Sequence, residues 1–144
     1  QAILSFNRAA ESASKSAADI FIHSIRQMTI TDAMNILFGS DDAATQYLKK
    51  TTSEKLYQAF YPTAEKSLKT VGATRYWSKV MTKYNQIPFV KNVETDLSRF
   101  VTEKTMAGLY SNLEAEEKKI RVNPIARTTA LLQKVFGFAD QKKK

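Results

Sequence analysis

Few side chains of this 144-residue chain have the types and spacing that catalysis or metal binding requires. His23 is the single histidine and cysteine is absent, so a zinc site would depend on carboxylates around one imidazole. Without cysteine, disulfides and thiol nucleophiles are excluded as well. Many serines are present, but none lies in the G-x-S-x-G sequence of a nucleophile elbow. We therefore predict no catalytic residue, no metal site and no cofactor, and we interpret His23 as a surface or capping side chain.

Asp41 and Asp42 are adjacent carboxylates that follow Ser40. Neighbouring residues on a helix point about 100° apart, so these two cannot both face one substrate atom as a general acid and base would. Their position favours a role at a helix N-terminus, where negative charge is stabilised by the helix dipole. The alternative is a cation or a ligand hydroxyl bound at this turn together with Thr45.

Basic residues are concentrated between positions 64 and 91, where six of them accompany one acidic residue. The candidate anion-binding residues in this region are Lys66, Lys69, Arg75, Lys79 and Lys83. The last three repeat at i, i+4 and i+8, so they share one face of a predicted helix, and the first two belong to the helix before it.

Three aromatic residues interleave with these cations: Tyr76, Trp77 and Tyr84. One interpretation is a surface that grips phosphates and stacks bases on the rings. The other is an ordinary amphipathic helix, with the rings in the core and the cations on the wet side. The aromatic residues repeat at core spacing, so we favour the second interpretation and keep the first as an alternative.

The elements that would position these residues are helices with recognisable starts and stops. Three starts are indicated between positions 29 and 56: Thr29 with Asp32, Ser40 before the two aspartates, and Thr51 with Glu54. The first and third have the spacing of a capping box. Gly39 is predicted to end the helix that follows the first start, because glycine tolerates positive φ. We therefore expect short helices stacked end to end in this part of the chain.

Further along, Pro62 is predicted to kink or break a helix that ends at Gly72, because an interior proline removes one backbone hydrogen bond. An aromatic helix follows from residue 73 to residue 84. The stretch 85–91 is predicted to be a loop pinned down by Ile87 and Phe89, because it contains Pro88.

The longest helix is predicted to start at Thr95 or Asn92 and to end near Arg121. Two pairs with i,i+4 spacing, Glu114 with Lys118 and Glu117 with Arg121, are interpreted as a solvated face. Asn123 before Pro124 indicates the start of a last helix that stops at Gly137. Arg127 would then lie in the first turn of that helix, where the dipole disfavours a cation, so we expect it to pair with a carboxylate from another helix.

Composition supports one helical domain with a basic surface. Hydrophobic residues make up 43% of the chain and charged residues 25%, which is ordinary globular usage. The formal net charge of +8 encourages weak contact with nucleic acid, phospholipid or acidic glycan without selecting among them. No apolar run approaches the roughly 20 residues that span a bilayer. We predict a single domain over residues 1–137 and a basic C-terminal tail over residues 138–144.

Four long runs, in order, resemble the DUF4197 family, a bacterial group of unknown function. The runs are MTITDAMNILFGSDDAATQYLKKTTSEKL, VGATRYWSKVMTKYNQIPFV, DLSRFVTEKTMAGLY and EEKKIRVNPIARTTALLQKVFG. Members of this family look like exported proteins of Gram-negative and related bacteria. The resemblance therefore implies a periplasmic or outer-membrane-associated location, and a signal segment and a further helical stretch ahead of the part present here. It implies no catalytic residue.

Within the matching runs, Thr45, Tyr47 and Arg127 are needed neither to cap nor to end a helix. Together with the two aspartates they form a candidate ligand site: Asp41, Asp42, Thr45, Tyr47 and Arg127.

The fold expected from all these features is all-α, an irregular bundle of six to seven helices, several of them short. We expect a non-enzymatic, extracytoplasmic binding or envelope-associated protein. Its expected partner is an unknown ligand or an envelope protein, and a homo-oligomer is compatible with the sequence. One alternative is an electrostatic binder of an anionic polymer or membrane surface. The other is an enzyme with a polar cleft at the candidate ligand site.

Overall fold

A computed structural model of the chain describes residues 2–70, 72–127 and 129–143, without the side chains of residues 2–7, 9, 10, 131, 132 and 143. Lys144, the last residue of the predicted tail, lies outside them. Within these ranges the chain forms helices and no strand, so the all-α prediction is confirmed. The elements are α1 (Ala2–Arg26), α2 (Ile30–Leu37), α3 (Ala43–Thr70), α4 (Ala73–Asn85), α5 (Leu97–Val122), a 3-10 turn (Pro124–Ala126) and α6 (Ala130–Lys143).

The chain divides into two compact units. Unit 1 comprises Gln1–Phe21 and Glu54–Ala107, and unit 2 comprises Ile22–Ser53 and Gly108–Lys144. Helix α4 lies in unit 1, helices α2 and α6 lie in unit 2, and the three long helices contribute residues to both. The predicted single domain over residues 1–137 stays a prediction.

The interiors of the two units differ in chemistry. Among the described residues of unit 1, the buried hydrophobic ones are Ala17, Leu56, Phe60, Leu68 and Leu97, and the buried polar ones are Ser67, Ser98 and Thr102. In unit 2, Tyr110 and Ala139 are the buried hydrophobic residues found among those described. The remaining buried residues of unit 2 are polar or charged: Ser24, Thr45, Thr52, Glu117, Arg121 and Arg127. Burial of so many polar groups requires that they be hydrogen-bonded, and unit 2 is organised around those bonds.

Helix α2 begins with the capping box predicted from the sequence. The Asp32 amide donates to Thr29 Oγ1 at 3.0 Å, and the Thr29 amide donates to Asp32 Oδ2 at 3.2 Å. The helix ends before Gly39, as expected, but positive φ is not the reason. A Cβ atom at Gly39 would lie 2.6 Å from the Asn35 carbonyl oxygen and 2.8 Å from the Ala43 Cβ. Glycine is therefore required here because a side chain would collide both with the last turn of α2 and with the first residue of α3.

Helix α3 runs unbroken through two positions that were predicted to interrupt it. The predicted start at Thr51 is wrong, because this residue lies inside the helix and its hydroxyl donates to the Tyr47 carbonyl at 2.9 Å. A break at Pro62 is also wrong, because the helix continues to Thr70. The helix ends close to Gly72, as predicted, and Gly72 itself has φ at 69°, in the left-handed region that glycine tolerates.

Replacing the interior proline should stabilise the protein. Pro62 is exposed and has no amide to offer the Gln58 carbonyl one turn earlier, so Pro62→Ala restores a helix hydrogen bond without disturbing the core. Proline is about 3 kcal/mol less favourable than alanine in a helix interior, and we expect part of that difference as a gain in the free energy of unfolding. Urea unfolding measures it, with Gln58→Ala, an exposed change on the same helix, as control. A lower stability for Pro62→Ala would contradict the prediction.

Helix α5 starts at neither of the residues predicted from the sequence. The cap is Asp96, whose Oδ1 accepts from the amides of Ser98 at 3.0 Å and Arg99 at 3.3 Å. The Tyr61 hydroxyl donates to Asp96 Oδ2 at 2.8 Å, and this bond raises the pKa of Tyr61 to about 12. Asp96 thereby ties α3 to the start of α5 inside unit 1.

The predicted last helix begins later and extends further than expected. Asn123 accepts from the Ile125 amide and Pro124 follows it, but this pair caps the short 3-10 turn instead of an α-helix. Helix α6 begins at Ala130 and passes through Gly137, so the predicted stop at that glycine is wrong. The residues predicted as a tail are helical from 138 to 143.

Candidate functional site

In unit 2, the start of α3 is capped by a carboxylate that is distant in sequence. Glu117 Oε1 accepts from the Thr45 amide and from Thr45 Oγ1, both at 2.7 Å, and Glu117 Oε2 accepts from the Ala44 amide at 2.9 Å. The first amides of a helix have no partner within the helix, and the helix dipole favours negative charge there. Glu117 therefore supplies the cap that the sequence assigned to the two aspartates.

The two aspartates lie at the same turn but face outward. Asp42 Oδ1 accepts from Ser40 Oγ at 2.7 Å and Oδ2 accepts from Gln46 Nε2 at 3.1 Å. These side-chain hydrogen bonds lower the pKa of Asp42 below its usual value. Asp41 is exposed.

Arg121 binds Glu117 on one side and the end of α2 on the other. Its Nε donates to Glu117 Oε2 at 2.8 Å, its Nη2 to the Ile36 carbonyl at 2.7 Å and its Nη1 to the Leu37 carbonyl at 3.2 Å. Only 8% of either charged residue is exposed. The interpretation of Glu117 and Arg121 as part of a solvated face is therefore wrong.

Arg127 binds the last carbonyls of α5, as Arg121 binds those of α2. Its Nε donates to the Ile120 carbonyl at 2.7 Å, its Nη2 to the Arg121 carbonyl at 2.9 Å and its Nη1 to Asp140 Oδ2 at 2.9 Å. Asp140 lies on α6, so Arg127 pairs with a carboxylate as expected, but this carboxylate belongs to the last helix, in which Arg127 was predicted to lie, and not to another helix. Arg127 itself is 4% exposed and follows the 3-10 turn instead of standing in a helix.

These residues form one cluster, which we call the polar cluster: Thr45, Glu117, Arg121, Arg127 and Asp140. Two cations balance two carboxylates, and the Phe136 ring centroid lies 5.6 Å from both guanidinium carbons. Among the described residues, no buried side-chain nitrogen or oxygen lacks a hydrogen-bond partner. The polar cluster thus joins helix ends through satisfied bonds, which is the chemistry of a structural network.

The candidate ligand site is only partly brought together. Thr45 and Arg127 are linked through Glu117 and Arg121, but their polar atoms are already bonded to protein groups. Within the described contacts, Asp41 and the half-buried Tyr47 side chain do not join the polar cluster. The central position of Glu117 and Arg121 was not predictable from sequence, because their i,i+4 spacing is the same as that of the exposed pair Glu114 and Lys118.

In unit 1, helix α4 is attached along one side. The Trp77 Nε1 donates to the Glu94 carbonyl at 2.9 Å, and its ring lies 5.0 Å from that of Phe100. None of the residues Ala73–Asn85, all of them described, is buried. Residues 75, 76, 78–80 and 82–84 are exposed, so one side of this helix is open to solvent.

An apolar stripe on α4 lies beside the predicted cations. Tyr76 is 71% exposed, Val80 is 55% exposed, and Tyr84 is exposed as well, so the favoured interpretation of the aromatics as core is wrong for both tyrosines. Arg75, Lys79 and Lys83 each precede one residue of this stripe, and all three are also exposed. We call this set the α4 surface: Arg75, Tyr76, Lys79, Val80, Lys83 and Tyr84.

The other two predicted cations lie on the last turns of α3. Lys66 and Lys69 are exposed and line a surface groove of about 750 Å³ that begins at Tyr61 and Pro62. Lys69 Nζ is paired with Glu65, so part of its charge is already compensated. Lys69 is therefore a weaker candidate for anion binding than the three cations of α4.

The described parts of the chain contain neither a metal site of clustered side chains nor a membrane-spanning helix. Among those residues, no group of three or more His, Asp or Glu side chains is placed to hold a metal ion. No described helix combines the length and the apolar character needed to cross a membrane.

Fold and sites together define an all-α protein with a buried polar cluster in one unit and an exposed, cationic amphipathic helix in the other. A family model described as "Protein of unknown function (DUF4197)" matches residues 1–137, and the chain belongs to this family. No curated protein and no solved structure matches the chain.

Proposed function

We propose that this is a non-enzymatic, extracytoplasmic binding protein that attaches to an anionic surface of the cell envelope through the α4 surface. The extracytoplasmic location is supported by membership of the DUF4197 family, because members of this family look like exported proteins. Fractionation of the native cell into cytoplasm, periplasm and envelope tests the location directly.

The observation that carries the proposal is the exposed apolar stripe of α4 beside three exposed cations. Contiguous exposed apolar side chains on a protein surface mark interaction sites, and Tyr76, Val80 and Tyr84 form such a row along α4. Arg75, Lys79 and Lys83 lie along the same helix at spacing of one turn, so they can reach phosphates or carboxylates together.

The state of the polar cluster supports binding over catalysis. A catalytic group has to offer a proton, a lone pair or a charge to the substrate. Thr45 and Arg127 instead hold Glu117, helix carbonyls and Asp140. The enzyme alternative loses its best residues to structural bonds, whereas the cations of α4 extend into solvent.

Charge removal on α4 tests the proposal. We expect the triple variant Arg75→Gln, Lys79→Gln, Lys83→Gln to bind vesicles of equal parts phosphatidylcholine and phosphatidylglycerol about a hundredfold more weakly, since each cation near such a surface contributes about 1 kcal/mol. Sedimentation with the vesicles measures binding, and heparin-agarose retention measures it for a soluble polyanion. Added salt should weaken the binding of the unaltered protein to both.

The matched control is a triple variant on α3 with Lys49, Lys50 and Lys55 replaced by glutamine. These lysines are exposed, and both triple variants carry a net charge of +5 (8 minus 3). An equal loss of binding in the two variants would show that only total charge matters. Binding of the unaltered protein that does not depend on salt, or no binding to either probe, would remove the proposal.

A further inference from the structure

The loop that follows α4 is held firmly at its base. Asn85 Nδ2 donates to the Val93 carbonyl at 2.7 Å, and Asn85 Oδ1 accepts from the Val93 amide at 2.7 Å. These two bonds close the chain on itself across eight residues. The Trp77 bond to the Glu94 carbonyl fixes the adjoining residue to α4. The segment between them, residues 86–92, which we call the tip loop, is therefore presented on a rigid support.

The tip loop exposes its largest apolar side chains. Ile87 is 51% exposed and Phe89 is fully exposed, so the prediction that these two residues pin the loop down is wrong. Phe89 has φ at 66°, the left-handed region that a bulky residue rarely adopts. An aromatic ring that is fully hydrated on a strained backbone contributes nothing to this unit's stability. Such a position is typical of a residue used for binding.

The tip loop continues the apolar stripe of α4. The amides of Gln86 and Ile87 donate to the carbonyls of Lys83 and Tyr84 at 3.2 and 3.0 Å, so the helical winding persists for these two residues. Tyr84 lies four positions after Val80, and Ile87 lies three positions after Tyr84. This spacing keeps Ile87 on the side of α4 that carries the apolar stripe. The cations of α4 thus border one apolar stripe, which extends from the helix into the tip loop.

Among anionic surfaces, a lipid bilayer is the one that matches both the cations of α4 and the apolar stripe beside them. A nucleic acid or an acidic glycan offers phosphates or carboxylates to the cations but no hydrocarbon for Val80 and Ile87. An interfacial helix of a peripheral membrane protein has both features, with aliphatic and aromatic side chains at the acyl boundary and Lys or Arg at the headgroups. The charge of Arg75, Lys79 and Lys83 is complementary to anionic phospholipids.

We propose that Ile87 and Phe89 insert into the headgroup and acyl boundary of an anionic phospholipid bilayer while the cations of α4 contact the headgroup phosphates. This inference rests on the proposed function and names its partner.

Labelling can locate the tip loop directly, because the chain has no native cysteine. We expect an environment-sensitive fluorophore on Ile87→Cys to shift to the blue with the vesicles described above and to be quenched by lipids brominated in the acyl chain. The matched control is Thr82→Cys, an exposed position on the opposite side of α4, where the label should stay in water. Phosphatidylcholine vesicles alone should give little change at either position.

An unlabelled variant gives an independent measurement. Phe89→Asn removes the ring, and asparagine accepts the left-handed conformation, so the fold should be kept or slightly stabilised. We expect its partition onto the same vesicles to fall about tenfold or more, the loss expected for one fully buried aromatic side chain. Phe89→Trp should keep the binding.

The outcomes separate the inference from the proposed function. Vesicle binding with the label at position 87 in water, or unchanged binding of Phe89→Asn, would overturn insertion and leave the α4 surface as an electrostatic binder. Binding to heparin but not to vesicles would overturn the lipid partner alone. Binding to neither probe would overturn the proposed function together with the inference.

Discussion

Glu117→Ala is expected to lower the free energy of unfolding by about 3–5 kcal/mol, the range measured when one partner of a buried ion pair is removed. Arg121 would remain buried beside an empty space, and the amides of Ala44 and Thr45 would lose their acceptor. Alanine has the highest helix propensity, so the change carries no backbone penalty on α5. Domains of this size are stable by only about 5–15 kcal/mol, so the variant should unfold at clearly lower urea concentration.

The neighbouring residue provides the control for this prediction. Glu116 is exposed and pairs with Lys119 at 3.2 Å on the surface of the same helix. Glu116→Ala should change the free energy of unfolding by less than about 1 kcal/mol, because exposed ion pairs contribute little. Far-ultraviolet circular dichroism during urea unfolding compares the two variants. If the two variants lower the free energy of unfolding by the same small amount, the burial of Glu117 and its capping of α3 are not what stabilises unit 2.

The parts of the fold that were predictable from sequence are those with a complete local signal. The capping box at Thr29 holds its two bonds within four residues, and Gly72 adopts the backbone conformation that only glycine adopts readily. Thr51, Pro62 and Gly137 carry equally strong local signals, yet helices pass through all three. Local preferences of about 1–3 kcal/mol are overridden when packing along the rest of a long helix favours its continuation.

The polar cluster could not be predicted, for a related reason. Glu114 with Lys118 and Glu117 with Arg121 have the same spacing and chemistry, and only the second pair is covered by other parts of the chain. Which face of α5 is covered depends on contacts between residues more than seventy positions apart. The cations of α4, by contrast, were found from sequence, because one-turn spacing is a property of a single helix.

The same reasoning explains why the aromatic residues of α4 were misassigned. Tyr76 and Tyr84 have the spacing of core residues, and that spacing is identical for a stripe that packs inside a protein and a stripe that docks on an external surface. Exposure distinguishes the two cases, and exposure is known only from the structure. A helical pattern therefore identifies an apolar face but not the partner that covers it.

Arg127→Met is expected to lower the free energy of unfolding by about 2–4 kcal/mol, because the carbonyls of Ile120 and Arg121 would be buried without donors and each such group costs about 1–3 kcal/mol. Methionine retains apolar contact with the Phe136 ring, which limits the loss of packing. Asp140→Asn breaks only the ion pair of Arg127, and the Asp140 side chain is 48% exposed, so we expect a cost below about 1 kcal/mol.

The comparison of these two variants assigns the role of Arg127. A large cost for Arg127→Met and a small one for Asp140→Asn identify the arginine as the cap of α5, because the carbonyl bonds are lost only in the first variant. Vesicle binding by the folded fraction of Arg127→Met should be unchanged, because the α4 surface keeps all its cations. If Arg127→Met instead unfolds like the unaltered protein and loses binding, Arg127 belongs to a ligand site and its bonds to helix carbonyls are incidental.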